Sequence, residues 1–64
     1  MNAIGRIRIY KGLLQREVAE KAKISLSAYR PYEKENVNEI KFNKLMMIAN
    51  ALEVTTNDIL NGRY

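Results

Sequence analysis

The chain has 64 residues, eleven Lys and Arg against seven Asp and Glu for a net charge of +4, and neither Cys nor His. Such a length allows one small core, hiding only about 60% of the extended surface on folding, and the missing residue types exclude disulfides, thiolate or imidazole metal sites and the usual general base near neutral pH. No uninterrupted apolar stretch approaches the roughly 18 residues of a membrane span, and Met1-Asn2-Ala3-Ile4 lacks the layout of a signal peptide, so the reading is a cytoplasmic protein with no membrane partner whose charge favours a polyanion.

Apolar residues recur in steps of three and four, and period-2 alternation is confined to Ile7-Arg8-Ile9-Tyr10. With one Pro, three Gly and no linker or repeat, this predicts a single all-α domain over residues 1–64. A first helix over roughly residues 2–11 places Ile4, Ile7 and the stem of Arg8 on one face, with Gly12 as its stop. A second, from Leu14 to Ala22, carries the stripe Leu14, Val18, Ala19 and Ala22, with Arg16, Glu17, Glu20 and Lys21 toward water. After a break at Lys23-Ile24, Ser25 can cap a third helix in which Tyr29 and Tyr32 are spaced to pack inward. Pro31 falls inside it, where it costs around 3 kcal/mol in an unbroken helix; either the helix kinks at Arg30, or Arg30 leaves the helical region and Pro31 opens a separate turn.

Lys34 to Glu39 is polar and Asn-rich, and Asn38 can cap a fourth helix over roughly residues 39–52 with the stripe Phe42, Leu45, Met46, Ala49 and Leu52. Met46 and Met47 read as core and flank filling. Thr55-Thr56-Asn57-Asp58 has capping-box spacing, followed by Ile59-Leu60 and a Gly62 stop, which fits a short fifth helix.

Two helices joined by a short turn are a weak signal for a helix-turn-helix, here over about residues 14–34. The string Gly12-Leu13-Leu14-Gln15-Arg16-Glu17-Val18-Ala19-Glu20-Lys21-Ala22-Lys23-Ile24-Ser25 sharpens it, because it resembles the G-L-T-Q-x-x-L-A-x-x-x-G-I-S signature of the Cro/CI (XRE-type) repressors. Upstream, Ile4, Ile7 and Arg8 look like the family's I-x-x-L-R; downstream, Leu45, Ile48, Ala49, Ala51, Leu52 and Val54 look like its L-x-x-I-A-x-A-L-x-V, with Thr55, Asp58 and Leu60 closing the pattern. The resemblance implies a five-helix, lambda-repressor-like DNA-binding domain that needs no cofactor. Departures are Leu14 for the usual capping Thr or Ser, which leaves Gln15 more of the anchoring at that helix start, and Lys23 for the usual turn Gly. Tyr29 and Tyr32 stand where smaller aliphatics are usual.

The same resemblance implies a role for individual residues. Gln15 matches a Gln that donates to a phosphate, with Arg16 beside it. Leu26, Ser27, Ala28 and Arg30 fall on the outer face and first turn of the third helix: Ser27 can donate or accept, Leu26 and Ala28 can touch a thymine methyl, and Arg30 can reach guanine or phosphate. So few polar readers imply modest direct readout and a larger share for phosphate contacts and DNA shape. Lys34 and Asn36 flank the following loop, where phosphates approach, as do Asn38 and Lys41. Arg8 and Glu33 match a family ion pair that ties the first helix to the end of the third.

The leading expectation is therefore a sequence-specific regulator, a repressor in type, that binds double-stranded operator DNA without catalysis. A weak symmetric homodimer, formed mainly on DNA, is expected through the fifth helix and tail, with Leu60 or Ile59 facing outward beside Asn57, Arg63 and Tyr64. The rival is a protein-interaction module on the same fold, an anti-repressor or antitoxin component, supported by Pro31 and by apolar Leu26 and Ala28 at the surface. Nothing in the chain assigns a reaction to it.

Overall fold

The computed structural model describes residues 1–64 and contains only helices: α1 (Ala3–Tyr10), α2 (Gln15–Lys21), α3 (Leu26–Tyr29), α4 (Phe42–Leu52) and α5 (Thr56–Leu60). Two 3₁₀ turns, Arg30–Glu33 and Val37–Glu39, fill the connection from α3 to α4. No helix is long and apolar enough to cross a membrane. One cluster forms the core, with Ile4, Ile7, Val18, Tyr29, Leu45, Ile48, Leu52 and Ile59 as its largest fully buried side chains.

Four of the five α-helices end in the same hydrogen-bond pattern, a left-handed residue whose N–H turns back onto the helix while the next N–H reaches one residue further. After α1 the left-handed residue is Gly12 and Leu13 N–H reaches the Arg8 carbonyl; after α5 it is Gly62 and Arg63 N–H reaches Asp58. These are the stops expected from the two glycines. Lys23 (φ 61°) does the same after α2 and Glu53 (φ 59°) after α4, where Ile24 bonds Ala19 and Val54 bonds Ala49. Both residues carry a Cβ into a region that glycine enters without steric cost. Lys23→Gly, at an exposed position in the helix-turn-helix turn, should therefore raise stability by about 1 kcal/mol; a urea midpoint that does not increase would contradict this.

Helix starts follow the sequence only where a side chain wins the local competition for free N–H groups. Ser25 accepts from Ala28 N–H at 3.1 Å, and Thr55 and Asp58 form a reciprocal capping box. At α2 the capping residue is Leu14, which has no acceptor; the Glu17 carboxylate instead accepts from Leu14 N–H at 2.8 Å. Leu14 is thus half exposed and lies outside the buried stripe of Val18, Ala19 and Ala22.

The fourth helix begins at Phe42, not 39, and Asn38 does not cap it. Asn36 instead caps the 3₁₀ turn before it: its Oδ1 accepts from Asn38 N–H at 3.0 Å, which places Asn38 inside that turn, and α4 has Lys41 at its N-cap without a side-chain cap bond. Ile40 then runs extended and enters the core. The buried face of α4 consists of Leu45, Ile48, Ala49, Ala51 and Leu52, while Phe42 and Met46 are exposed and Met47 is half-buried. Met46 follows Leu45 by about 100° around the helix, which turns it away from the core.

Pro31 takes neither expected course in full. Arg30 keeps right-handed helical dihedrals (φ −49°, ψ −43°), and its N–H still bonds the Leu26 carbonyl. The next α-type bond, to Ser27, has no donor at Pro31, and the chain tightens into the 3₁₀ turn with Pro31 in its first positions. Pro31→Ala should consequently lower stability by about 0.4–1 kcal/mol, because it loosens the unfolded chain without relieving native strain. A clear rise in melting temperature would show that the ring is strained there.

Candidate nucleic-acid interface

The helix-turn-helix pair is α2 and α3, joined by the turn at residues 22–25. Behind it lies a buried polar knot centred on Glu33, whose residue is only 4% exposed. Arg8 Nε donates to Glu33 Oε2 at 2.5 Å and Arg8 Nη2 to Oε1 at 3.2 Å, while Nη1 donates to the Leu13 carbonyl at 2.9 Å. Tyr29 Oη donates to Glu33 Oε2 at 2.6 Å, and Gln15 Nε2 to Oε1 at 3.1 Å. Four donors from three parts of the chain thus converge on one carboxylate. Burial alone would raise the Glu33 carboxyl, but the bonds from Arg8, Tyr29 and Gln15 outweigh it and hold it below the usual carboxylate range. Burial, then the bond to Glu33, pushes the Tyr29 phenol up.

Asn2 closes the same corner. It caps α1 by accepting from Gly5 N–H at 3.3 Å, and its Nδ2 donates to the Tyr32 and Glu35 carbonyls at 2.6 and 2.8 Å. The start of α1 is thereby tied to the end of the 3₁₀ turn that follows α3. Gly5 lets the two approach, since a Cβ there would stand 3.1 Å from Glu33 Oε1.

In front of the knot, Gln15, Arg30 and Lys34 border one shallow depression, together with Met1, Arg8 and Glu33. Ser27, Arg30, Pro31, Lys34 and Glu35 border the next. Arg30 and Lys34 belong to both, so Gln15, Ser27, Arg30 and Lys34 form a continuous strip in which Ser27 and the two cations are exposed. Ala28 and Arg16 are exposed on α3 and α2 but border neither depression. Leu26 is half-buried, so it is not the exposed apolar residue that the protein-interaction reading used. Asn36 lies apart from the strip: its side chain is occupied with Asn38, and it borders a depression with Arg6, Leu60 and Gly62.

Two features of this region escape the sequence reading. Gln15 does not anchor the start of α2, which Glu17 does; one of its amide N–H groups is held by Glu33. The Tyr29 hydroxyl belongs to the knot, a contact that its spacing of four from Glu33 could have suggested.

The surface expected for dimerisation is also altered. Ile59 is fully buried and cannot face outward, whereas Leu60 is exposed. Tyr64 leans edge-on against Tyr10 with ring centroids 5.3 Å apart, and Lys11 Nζ stands 5.6 Å from the Tyr64 ring centre.

The family model described as Helix-turn-helix (HTH_3) matches residues 4–59. Among solved structures, the chain is similar to the clp gene regulator ClgR from C. glutamicum, with 26% identity and a TM-score of 0.81, over 94% of this chain and 77% of that one. No curated protein sequence matches it.

Proposed function

The chain belongs to the XRE-type helix-turn-helix family, and from that premise we propose that it is a DNA-binding regulator of transcription that represses by occupying an operator. Residues 1–64 work as a single unit, with the DNA-contacting part at about 14–34. The observation that carries the reading is the strip of Gln15, Ser27, Arg30 and Lys34, which puts two free cations, a hydroxyl and an amide on one face of the helix-turn-helix. Such a face supplies the groups that hold phosphates and reach base edges. Gln15, Arg16, Arg30 and Lys34 meet phosphates; Leu26, Ser27 and Ala28 meet bases, with Arg30 able to reach guanine. Asn36, with its side chain committed to Asn38, contributes at most at the edge of this surface. A face with one hydroxyl as its neutral polar reader relies on DNA shape for much of its selectivity.

One recognition helix covers few base pairs, so two protomers about a two-fold axis, on half-sites about 34 Å apart, would supply the remaining selectivity. Leu60 is the exposed apolar residue that α5 offers for this, and a contact of that size implies a dimer formed mainly on DNA. Selection of binding sites from random duplexes tests the whole reading. A recurrent, roughly palindromic site bound by two protomers is the expected result; Ser27→Ala should change the preferred sequence, and Gln15→Ala should weaken every sequence alike. Failure to enrich any duplex would reject the DNA-binding reading, and a single protomer on an asymmetric site would reject the dimer.

A further inference from the structure

We propose that Tyr29 and Glu33 are positioning residues for DNA binding, acting through Gln15: the buried carboxylate fixes the orientation of the Gln15 amide and so aims its second N–H at a phosphate. This rests on the DNA-binding reading above and adds two residues that touch no DNA themselves.

A free Gln side chain can rotate and can present either its carbonyl or its amine outward, and only the amine attracts a phosphate. Here Glu33 Oε1 accepts from Gln15 Nε2 at 3.1 Å, and a carboxylate without a proton accepts only. The amine end is therefore fixed toward Glu33. Nε2 carries two N–H groups, and the second makes no hydrogen bond within the protein. Gln15 is half-buried at the rim of the depression that also holds Arg30 and Lys34, so this N–H is available where an anion would sit.

Glu33 can do this only if it stays put. Arg8 holds both oxygens, with Nε on Oε2 and Nη2 on Oε1; the Tyr29 hydroxyl adds a tie from α3 at 2.6 Å on Oε2, and Oε1 also accepts from Gln15. The ring of Tyr29 is fully buried, so its hydroxyl has no freedom to seek another partner. An aliphatic residue at position 29 would fill the same core but remove the tie from α3, leaving Oε2 to Arg8 alone. Holding Gln15 before DNA arrives also removes part of the ordering cost that an exposed side chain meets on binding.

Tyr29→Phe is the decisive substitution, since it keeps the ring and removes only the hydroxyl. Affinity for a mixed-sequence duplex is measured by fluorescence anisotropy for four proteins: the unsubstituted chain, Tyr29→Phe, Gln15→Ala and the double variant. Each is held at a temperature where circular dichroism shows it folded. The expected result is that Tyr29→Phe weakens binding by about two- to tenfold when Gln15 is present and has no further effect when Gln15 is Ala, the signature of coupled residues. Glu33→Gln, which puts an amide in place of the carboxylate, should show the same dependence on Gln15. A purely structural role would give the same loss in both backgrounds or none in either, and either result overturns the inference while leaving the DNA reading intact. Should the unsubstituted chain bind no duplex, the DNA reading fails, and the inference with it.

Discussion

Arg8→Ala is expected to remove about 3–5 kcal/mol of folding stability, the cost of leaving a buried charge without its partner. The side chains of Arg8 and Glu33 are only 13% and 5% exposed, and three of the guanidinium's hydrogen bonds disappear together. Against a total of about 5–15 kcal/mol for an ordinary domain, such a loss approaches the whole margin. Arg16→Ala, at an exposed position without a partner, should stay within about 0.5 kcal/mol of zero. Urea denaturation of the two variants side by side decides the point, and equal small losses would show that the knot contributes no more than surface charge.

The same knot contributes to the pH profile on both sides, alongside Asp58, whose carboxyl the Thr55 backbone N–H holds below the usual range. Glu33 titrates lower folded than unfolded, so its contribution is complete above the ordinary value of 4.5 and is lost as pH falls through the depressed folded value. Tyr29 titrates higher folded than unfolded, so its contribution is complete below the ordinary value of 10.0 and is lost as pH rises beyond it toward the folded value. With no His in the chain, stability should be flat between these limits. Glu33→Gln should reduce the acid-side loss to the share carried by Asp58, which a melting-temperature series across pH would reveal.

Replacing Arg30 and Lys34 together by Ala should weaken duplex binding by roughly 60-fold at 0.1 M salt and make the slope of log affinity against log salt less negative by about 1.8, from about 0.9 for each phosphate no longer neutralised. The two side chains are exposed and border the same depressions, so they form the densest positive charge on the strip. The share lost at Lys34 should be similar for all sequences, because phosphate contacts carry no base information, and an excess loss on guanine-containing sites would report Arg30 at a base edge. A slope unchanged by the double substitution would place the phosphates elsewhere.

What was legible in the sequence was mostly local. Gly12 and Gly62 as stops, Ser25 as a cap and the Thr55–Asp58 box each depend on residues within four positions, and the helices end or begin there. The start of α4 was not legible, because its N-cap is Lys41 with no side-chain cap, while Asn36 caps the 3₁₀ turn before it and Asn38 lies inside that turn. Glu53 carried no sign of its left-handed backbone, which residues other than Gly, Asn and Asp seldom adopt. In the site, the pairing of Arg8 with Glu33 came from resemblance to a family, since 25 residues separate them. The bond between Gln15 and Glu33 had no local signal at all: it exists because α1, α2 and the 3₁₀ turn meet at one corner, and packing of that kind is settled only when the core around Tyr29 has formed.

On this account DNA meets α2, α3 and the turn after them. Its most direct test is amide chemical-shift mapping of the ¹⁵N-labelled chain with a duplex of about 10 base pairs, too short for two half-sites one helical turn apart. The largest changes should fall at Gln15, Arg16, residues 26–30 and Lys34, with Tyr10, Leu60 and Tyr64 little affected. Changes concentrated on α1 and α5, or none at low salt, would contradict the assignment of this face to DNA.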